Sequence, residues 1–211
     1  MSLRPSLHRE RAAWADEALL VGVDEAGRGP LAGPVVAAAV VFPPQCRAVR
    51  GLRDSKILPA RVRRMLAERI HARVLCCAVG AASSAEIDRF NIRVATAIAM
   101  RRAITALLRR GALAGRPYVI LIDGLRLPEV GYAHDALVDG DARCQSIAAA
   151  AILAKTTRDR LMELLARRHP GYGWQTNMGY GTEEHHAGLL AHGPTCHHRR
   201  TFAPVAQLTL F

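Results

Sequence analysis

The 211-residue chain is 50% hydrophobic and 22% charged, which supplies a core for one domain with a small appendage and excludes a disordered chain. Lys and Arg total 29 against 18 Asp and Glu, and the net charge of +11 favours an anionic partner, with nucleic acid ahead of a membrane surface. The longest apolar runs, Val35 to Phe42 and Ile147 to Ala154, fall well short of the ~20 residues that span a bilayer. Met1 to Glu10 is polar and broken by Pro5, without the apolar stretch of a secretory signal, so a cytoplasmic protein with no membrane partner is expected. Cys46, Cys76, Cys77, Cys144 and Cys196 contain no C-x-x-C spacing and read as reduced thiols.

The chain has no internal repeat and no low-complexity stretch. Leu19 to Asp24 reads as a short strand, and Pro34 to Phe42 as a Val/Ala strand closed by Pro43-Pro44, which cannot continue a ladder; a glycine-rich turn joins the two. Pro59 to His71 reads as a helix that starts at proline and keeps Val62, Met65, Leu66 and Ile70 on one stripe. Val74 to Gly80 follows as a strand. Ile92 to Leu108 shows helical spacing through Ala95, Ile98, Ala99 and Leu107, and Gly111 and Gly115 end it before the apolar strand Tyr118 to Ile122. After a short strand around Ala133 to Val138, Gln145 to Arg168 carries the longest helical pattern, on Ile147, Ala151, Ala154, Leu161 and Leu165. The small residues at its start predict close approach to a sheet or another helix. Strands first, with helices between and after, predict an α/β fold with the sheet in the middle. Glycine, proline and histidine rise from His169 onward, so a boundary is expected there, then a small helical piece over Glu183 to Ala191 and a free tail.

Two adjacent carboxylates, Asp24 and Glu25, close the first strand and are followed by Gly27, Gly29 and Gly33. The strand period of two sends them to opposite faces, so both serve one site only if the strand ends between them and the chain bends, which the glycines permit. The alternative is a turn carrying two solvated acids. Asp123 ends another apolar strand just before Gly124. Asp141, taken alone, reads as a helix N-cap, and Asp159 beside Lys155 at i,i+4 reads as half of an ion pair. Acids gathered from strand ends and a helix start suit a divalent cation, because crowded carboxylates cannot all stay ionised unpaired. In a basic chain such a cluster suggests two-metal phosphodiester chemistry. A second cluster, His185, His186, His192, Cys196, His197 and His198, matches no zinc spacing and reads as a solvated basic segment.

Asp24-Glu25-Ala26-Gly27-Arg28-Gly29-Pro30-Leu31-Ala32-Gly33-Pro34 stands in order with Asp54-Ser55-Lys56, Asp123-Gly124, Gly140-Asp141, Ala148 to Lys155 with Arg158-Asp159, Gly179-Tyr180-Gly181-Thr182 and His198-Arg199-Arg200. From about Leu19 to Val205 this series resembles bacterial ribonuclease HII, the type 2 ribonuclease H family. The resemblance implies a ribonuclease H-like mixed central sheet flanked by helices, with a small helical C-terminal piece. It divides the chain into an N-terminal extension over 1–18, a catalytic domain over 19–168, a C-terminal helical segment over 169–205 and a flexible tail over 206–211. It implies Mg²⁺- or Mn²⁺-dependent cutting of RNA in RNA/DNA hybrids and incision 5′ of single ribonucleotides in duplex DNA. Asp24, Glu25, Asp123 and Asp141 resemble its four metal-binding carboxylates, Gly27, Arg28 and Gly29 the segment whose backbone reads the 2′-hydroxyl, and Tyr180 the tyrosine that stacks at the ribonucleotide. Glycines let the main chain approach a hydroxyl that only RNA has, and an aromatic face tests the sugar beside it. Ser55, Lys56 and Arg143 would hold backbone phosphates. The chain departs from the family pattern at Ala151, Ile57 and Asn177-Met178, none of which touches the four acids.

Gln207-Leu208-Thr209-Leu210-Phe211 resembles, separately, the short peptide by which bacterial replication and repair proteins dock on the DNA sliding clamp. Gln207, Leu208, Leu210 and Phe211 would make that contact, since exposed apolar residues at a free end suit a partner's pocket. A phosphate loop built on Gly27, Gly29 and Gly33 fits poorly, because no Gly-Lys-Ser/Thr follows and two acids precede it. A catalytically idle nucleic-acid binder recruited to the clamp is the remaining rival. Nothing suggests an obligate assembly, and a monomer is expected.

Overall fold

In chain order the elements are α1 (His8–Ala15), β1 (Leu19–Ala26), β2 (Val35–Val41), α2 (Ala60–His71), β3 (Cys76–Ala82), α3 (Ser84–Leu108), β4 (Tyr118–Asp123), β5 (Asp135–Leu137), α4 (Gly140–Arg143), α5 (Gln145–Arg168), α6 (Trp174–Asn177), α7 (Glu183–His192) and α8 (Ala203–Leu208). They come from a computed structural model whose described residues are 4–53, 55 and 57–208, Leu208 by its backbone alone. Lys56, Leu210, Phe211 and the side chain of Leu208, all singled out above, lie outside the described residues.

The strands form one mixed sheet in the order β3-β2-β1-β4-β5, with β1 antiparallel to β2, β2 antiparallel to β3, and β4 parallel to both β1 and β5. β2, all Val and Ala, is buried on both faces, and its alternation sorts the core into layers. Val35, Ala37, Ala39 and Val41 pack with α3, whereas Ala38 and Val40 pack with α2 and α5. The same alternation in β1 turns Leu19, Val21 and Val23 toward α3 and leaves Leu20, Gly22 and Asp24 on the α5 side.

Small residues let the helices settle directly on the strands. A Cβ added at Gly22 would lie 2.4 Å from the Ser146 backbone carbon, and one at Gly80 would lie 2.3 Å from the Ala99 carbonyl oxygen. With Ala148, Ala149, Ala150 and Ala154 also buried, in the layer that holds Ala38 and Val40 of β2, α5 makes the close approach its composition predicts.

Several boundaries differ from the sequence expectations. β3 begins at Cys76, because Val74 still donates its N–H to Ile70 at the end of α2. α3 begins at Ser84, where Ser83 and Glu86 form a capping box. At Asn91 (φ 67°) the helix kinks, and the Asn91 side chain accepts from Arg93 and Val94, recapping the segment that starts at Ile92. Residues before Leu19 are stitched to the body: Glu10, 1% exposed, accepts from the Ser146 N–H and hydroxyl at 2.7 Å each, and Gln145 donates its side-chain amide to Pro5. Residues 206–208, expected in a free tail, continue α8, because Val205 is fully buried against Met162 and Trp174 and anchors that turn.

Candidate active site

Because β4 runs parallel to β1 and pairs through Val23–Ile122, Asp24 and Asp123 stand side by side one residue past the last paired position. The bend expected between Asp24 and Glu25 is absent: β1 stays paired with β2 through Ala26–Val36. The two acids are neighbours on one unbent strand, and the charge of Glu25 still bears on Asp24. Asp24 is 6% exposed, and its carboxyl is held well above the usual range, first by burial, then by the charges of Glu25, Asp123 and, more weakly, Asp141. The Glu25 N–H, donated to Asp24 Oδ1 at 2.6 Å, opposes that shift.

Asp141 reaches this field through a short device. Asp123 Oδ1 accepts the Gly140 N–H at 2.7 Å, at the start of α4. A side chain at Gly140 would meet Ile147 Cδ1 at 2.7 Å and Asp123 Oδ1 at 3.0 Å, so only glycine admits the contact. Asp141 is therefore in the first turn of α4 and not the N-cap of the long helix, a position that Cys144 takes. Asp159 is paired as expected, with Lys155 at 2.6 Å, and also with Arg63 at 2.8 Å.

The glycine loop after β1 is held from inside by two buried arginines to which sequence reasoning assigned no role. Arg158, 1% exposed, donates to the carbonyls of Pro34, Met178 and Ala32 at 3.0–3.1 Å. Arg199, fully buried, donates to Gly27, Arg28 and Gly33 at 2.5–3.1 Å. Burial, and then the charge of Arg158, lowers the Arg199 guanidinium to about 9. Gly27, at φ 95°, is the seat for Arg158, whose Nε would lie 2.0 Å from any Cβ there. One signal for Arg158 was present: it falls on the apolar stripe of α5, four residues beyond Ala154. No comparable periodicity marks Arg199.

Tyr180 is 46% exposed, not buried in its turn, and its ring borders Gly29: a Cβ there would lie 3.7 Å from Tyr180 Cε1. Gly27, Arg28, Gly29 and Tyr180 are thus brought together, with Arg28 Nη1 3.5 Å from Glu25 Oε1. Ser55 is buried and accepts from Arg63 through its carbonyl, at 3.2 Å. Arg143 is exposed on α4 and donates to the Val138 carbonyl. Gln207 is exposed at the end of α8. The reading of the histidine cluster as solvated is corrected for His185 and His198, which are buried in an aromatic box with Tyr172 and Trp174. That box gives the C-terminal piece its own apolar centre, which a tally of polar residue types conceals. The five cysteines are free.

Among the described residues no three His, Cys, Asp or Glu side chains stand as ready-made ligands of one ion. The donor chemistry still fits a hard divalent cation: oxygen donors only, one of them buried and penalised by its neighbours' charge. Among the described residues, no helix is long and apolar enough to cross a membrane.

A mixed sheet between helical layers, with acids gathered where β1 and β4 end, defines a ribonuclease H-like α/β protein. The solved ribonuclease H2 of Pyrococcus horikoshii shares this fold at a TM-score of 0.72 and 24% identity, covering 90% of this chain and 96% of that one. A chain in the PCNA–RNase HII complex of Archaeoglobus fulgidus aligns at a TM-score of 0.67 and 25% identity, covering 86% and 92% of the two chains. The Ribonuclease HII of Acidovorax sp. strain JS42 is 49% identical over 208 residues, 98% of this chain and 96% of its own. Residues 21–205 match the family described as Ribonuclease HII, and the chain belongs to that family. It is accordingly a ribonuclease H, an endonuclease of a divalent-metal-dependent family.

Proposed function

We propose that this chain cuts the RNA strand of RNA/DNA hybrids and incises on the 5′ side of single ribonucleotides embedded in duplex DNA, leaving 3′-hydroxyl and 5′-phosphate ends. Asp24, Glu25, Asp123 and Asp141 would hold Mg²⁺ or Mn²⁺, and the bound cations would supply an activated water and stabilisation of the leaving oxygen. The observation that carries this reading is the burial of Asp24 among three further carboxylates. Such a cluster disfavours the folded chain until counter-charge arrives, which gives it a use only where cations bind.

The rest of the site supports discrimination of the sugar. Arg199 takes up the carbonyls of Gly27 and Arg28 from the inside. In a trans peptide the C=O and N–H point opposite ways, so the N–H groups of Arg28 and Gly29 face away from Arg199, available to a 2′-hydroxyl. Tyr180 bordering Gly29 offers its exposed ring to the sugar and base at the same junction. Ser55, Lys56 and Arg143 would hold the backbone phosphates on either side.

The test is incubation of a duplex carrying one ribonucleotide with Mg²⁺, comparing this chain with Asp123→Asn. A nick 5′ of the ribonucleotide with a 3′-hydroxyl end is expected from the first and almost none from the second. Equal cutting by both would discard the site, and no cutting by either would favour an idle binder.

The chain is further proposed to act as a cytoplasmic monomer that docks on the sliding clamp through Gln207, Leu208, Leu210 and Phe211. The Archaeoglobus relative was solved with PCNA, which supports this assignment. Capture on immobilised clamp should be lost in a chain ending at Ala206, and equal capture of both forms would remove the tail from the reading.

A further inference from the structure

Behind the glycine loop, His185 and His198 form a directional chain of hydrogen bonds. They are 0% and 1% exposed and meet Nε2 to Nε2 at 3.0 Å. Their other partners decide where the protons sit. The Thr195 backbone N–H donates to His198 Nδ1 at 2.9 Å, so a neutral His198 carries its proton on Nε2. The Trp174 indole N–H donates to His185 Nε2 at 3.0 Å, so a neutral His185 carries its proton on Nδ1, which donates to the Tyr180 carbonyl at 2.9 Å. Both rings must be neutral for these contacts to coexist, with the single lone pair of His185 Nε2 shared between the Trp174 and His198 N–H groups. Burial pushes both below the ordinary histidine range, His198 to about 4.

The chain of bonds ends on a residue of the site. It also begins beside one, because the segment carrying His198 is tied to the glycine loop: Gly33 donates to the His197 carbonyl and Arg199 to the Leu31 carbonyl, each at 2.8 Å. One short segment therefore reaches both elements that meet at Gly29 and Tyr180.

We propose that His198 and His185 are positioning residues, locked in opposite tautomers, that set the Tyr180 backbone and thereby hold its ring against Gly29. The inference rests on the reading of Tyr180 as the ring that meets the ribonucleotide. Neither histidine touches substrate in this assignment. The Tyr180 carbonyl also accepts the Thr182 N–H at 2.8 Å, so removing His185 loosens Tyr180 without freeing it.

Two measurements test it. Nitrogen-15 NMR of the unaltered protein near pH 7 should find the proton of His185 on Nδ1 and that of His198 on Nε2. The reverse assignment for either ring, or a charged ring, overturns the proposal. In cleavage of a duplex carrying one ribonucleotide, with Mg²⁺, His185→Leu should raise KM by about fivefold, the scale of one lost hydrogen bond, with little change in kcat. His185→Asn, whose amide donates from nearly the same place as Nδ1, should recover most of that loss. In a Tyr180→Ala background His185→Leu should add nothing. A loss that multiplies in full with Tyr180→Ala, or one that Asn does not recover, overturns the positioning role while leaving the Tyr180 assignment standing. If Tyr180→Ala alone leaves KM unchanged, the Tyr180 reading fails first and takes the proposal with it. Should His185→Leu not fold, the asparagine variant and the tautomer assignment still decide.

Discussion

Replacing Asp24 with asparagine should make the cation-free protein more stable while abolishing its activity. The carboxyl is buried and sits in the field of Glu25, Asp123 and Asp141, which raises it well above its ordinary value of 3.8. The sign follows from linkage. A carboxyl raised in the folded state favours folding while protonated, and that contribution is lost as pH rises through the raised value. At any pH above the ordinary carboxylate range, without cations, a titratable Asp24 therefore disfavours folding relative to a neutral side chain in its place. Removing one unfavourable buried charge is a stabilisation on the order of 1 kcal/mol, or a rise in Tm of about 2–4 °C for a chain of this size. Asparagine keeps the acceptor for the Glu25 N–H, so that 2.6 Å bond is not sacrificed. The assay is thermal unfolding at pH 7 in chelator and again in Mg²⁺. Cation at about 100 times its dissociation constant should add about 2.7 kcal/mol to the unaltered protein and much less to the variant. A variant that is less stable in chelator and gains the same increment from Mg²⁺ would refute both the electrostatic reading of Asp24 and its role as a ligand.

Arg199→Met should lower stability by about 2–3 kcal/mol in denaturant unfolding, since three buried carbonyls lose their donors while relief from burying the guanidinium offsets part of the loss. Arg199→Lys should recover little of this, because an ammonium cannot reproduce the planar fork, and an equal recovery would point to charge alone. The stability that His198 contributes should be fully present above about pH 6.5 and fall as pH drops toward 4, because the unfolded chain protonates His198 before the folded one does; the loss should be on the order of 3 kcal/mol, and the acid-side fall should shrink by that amount in His198→Gln, leaving the smaller share of His185 and His197. Gly22→Val should cost at least about 3 kcal/mol, since its Cβ would lie 2.4 Å from the Ser146 backbone carbon, and a Tm within a degree of the unaltered protein would contradict that packing.

The main strands and both long helices were legible because their apolar spacing is unbroken: β2 reads directly as a strand buried on both faces, and the alanines of α5 predict its contact with the sheet. The acids were legible because Asp24 and Asp123 interrupt apolar strands at their ends, where burial must be offset. That Asp24 and Asp123 stand side by side was not, since it depends on the register of β1 against β4, and strand pairing across about a hundred residues leaves no local trace. The four residues of α4 are too few to display a helical period, so Asp141 had no visible context. The buried roles of Arg199 and the histidine pair were hidden for a different reason. A polar side chain bonded to distant carbonyls has the same sequence signature as one bonded to water.

The partners of Arg199 lie 166 to 172 positions earlier in the chain, which ties the glycine loop to a far segment of the sequence. The sheet, its two helical layers and the acids at the strand ends all belong to residues that precede Arg199 in the chain. The loop proposed to tell ribose from deoxyribose, by contrast, takes support from that far segment, through contacts of long sequence separation. A chain cut short before Arg199 would keep every proposed metal ligand and lose the Arg199 support behind the proposed sugar-reading loop.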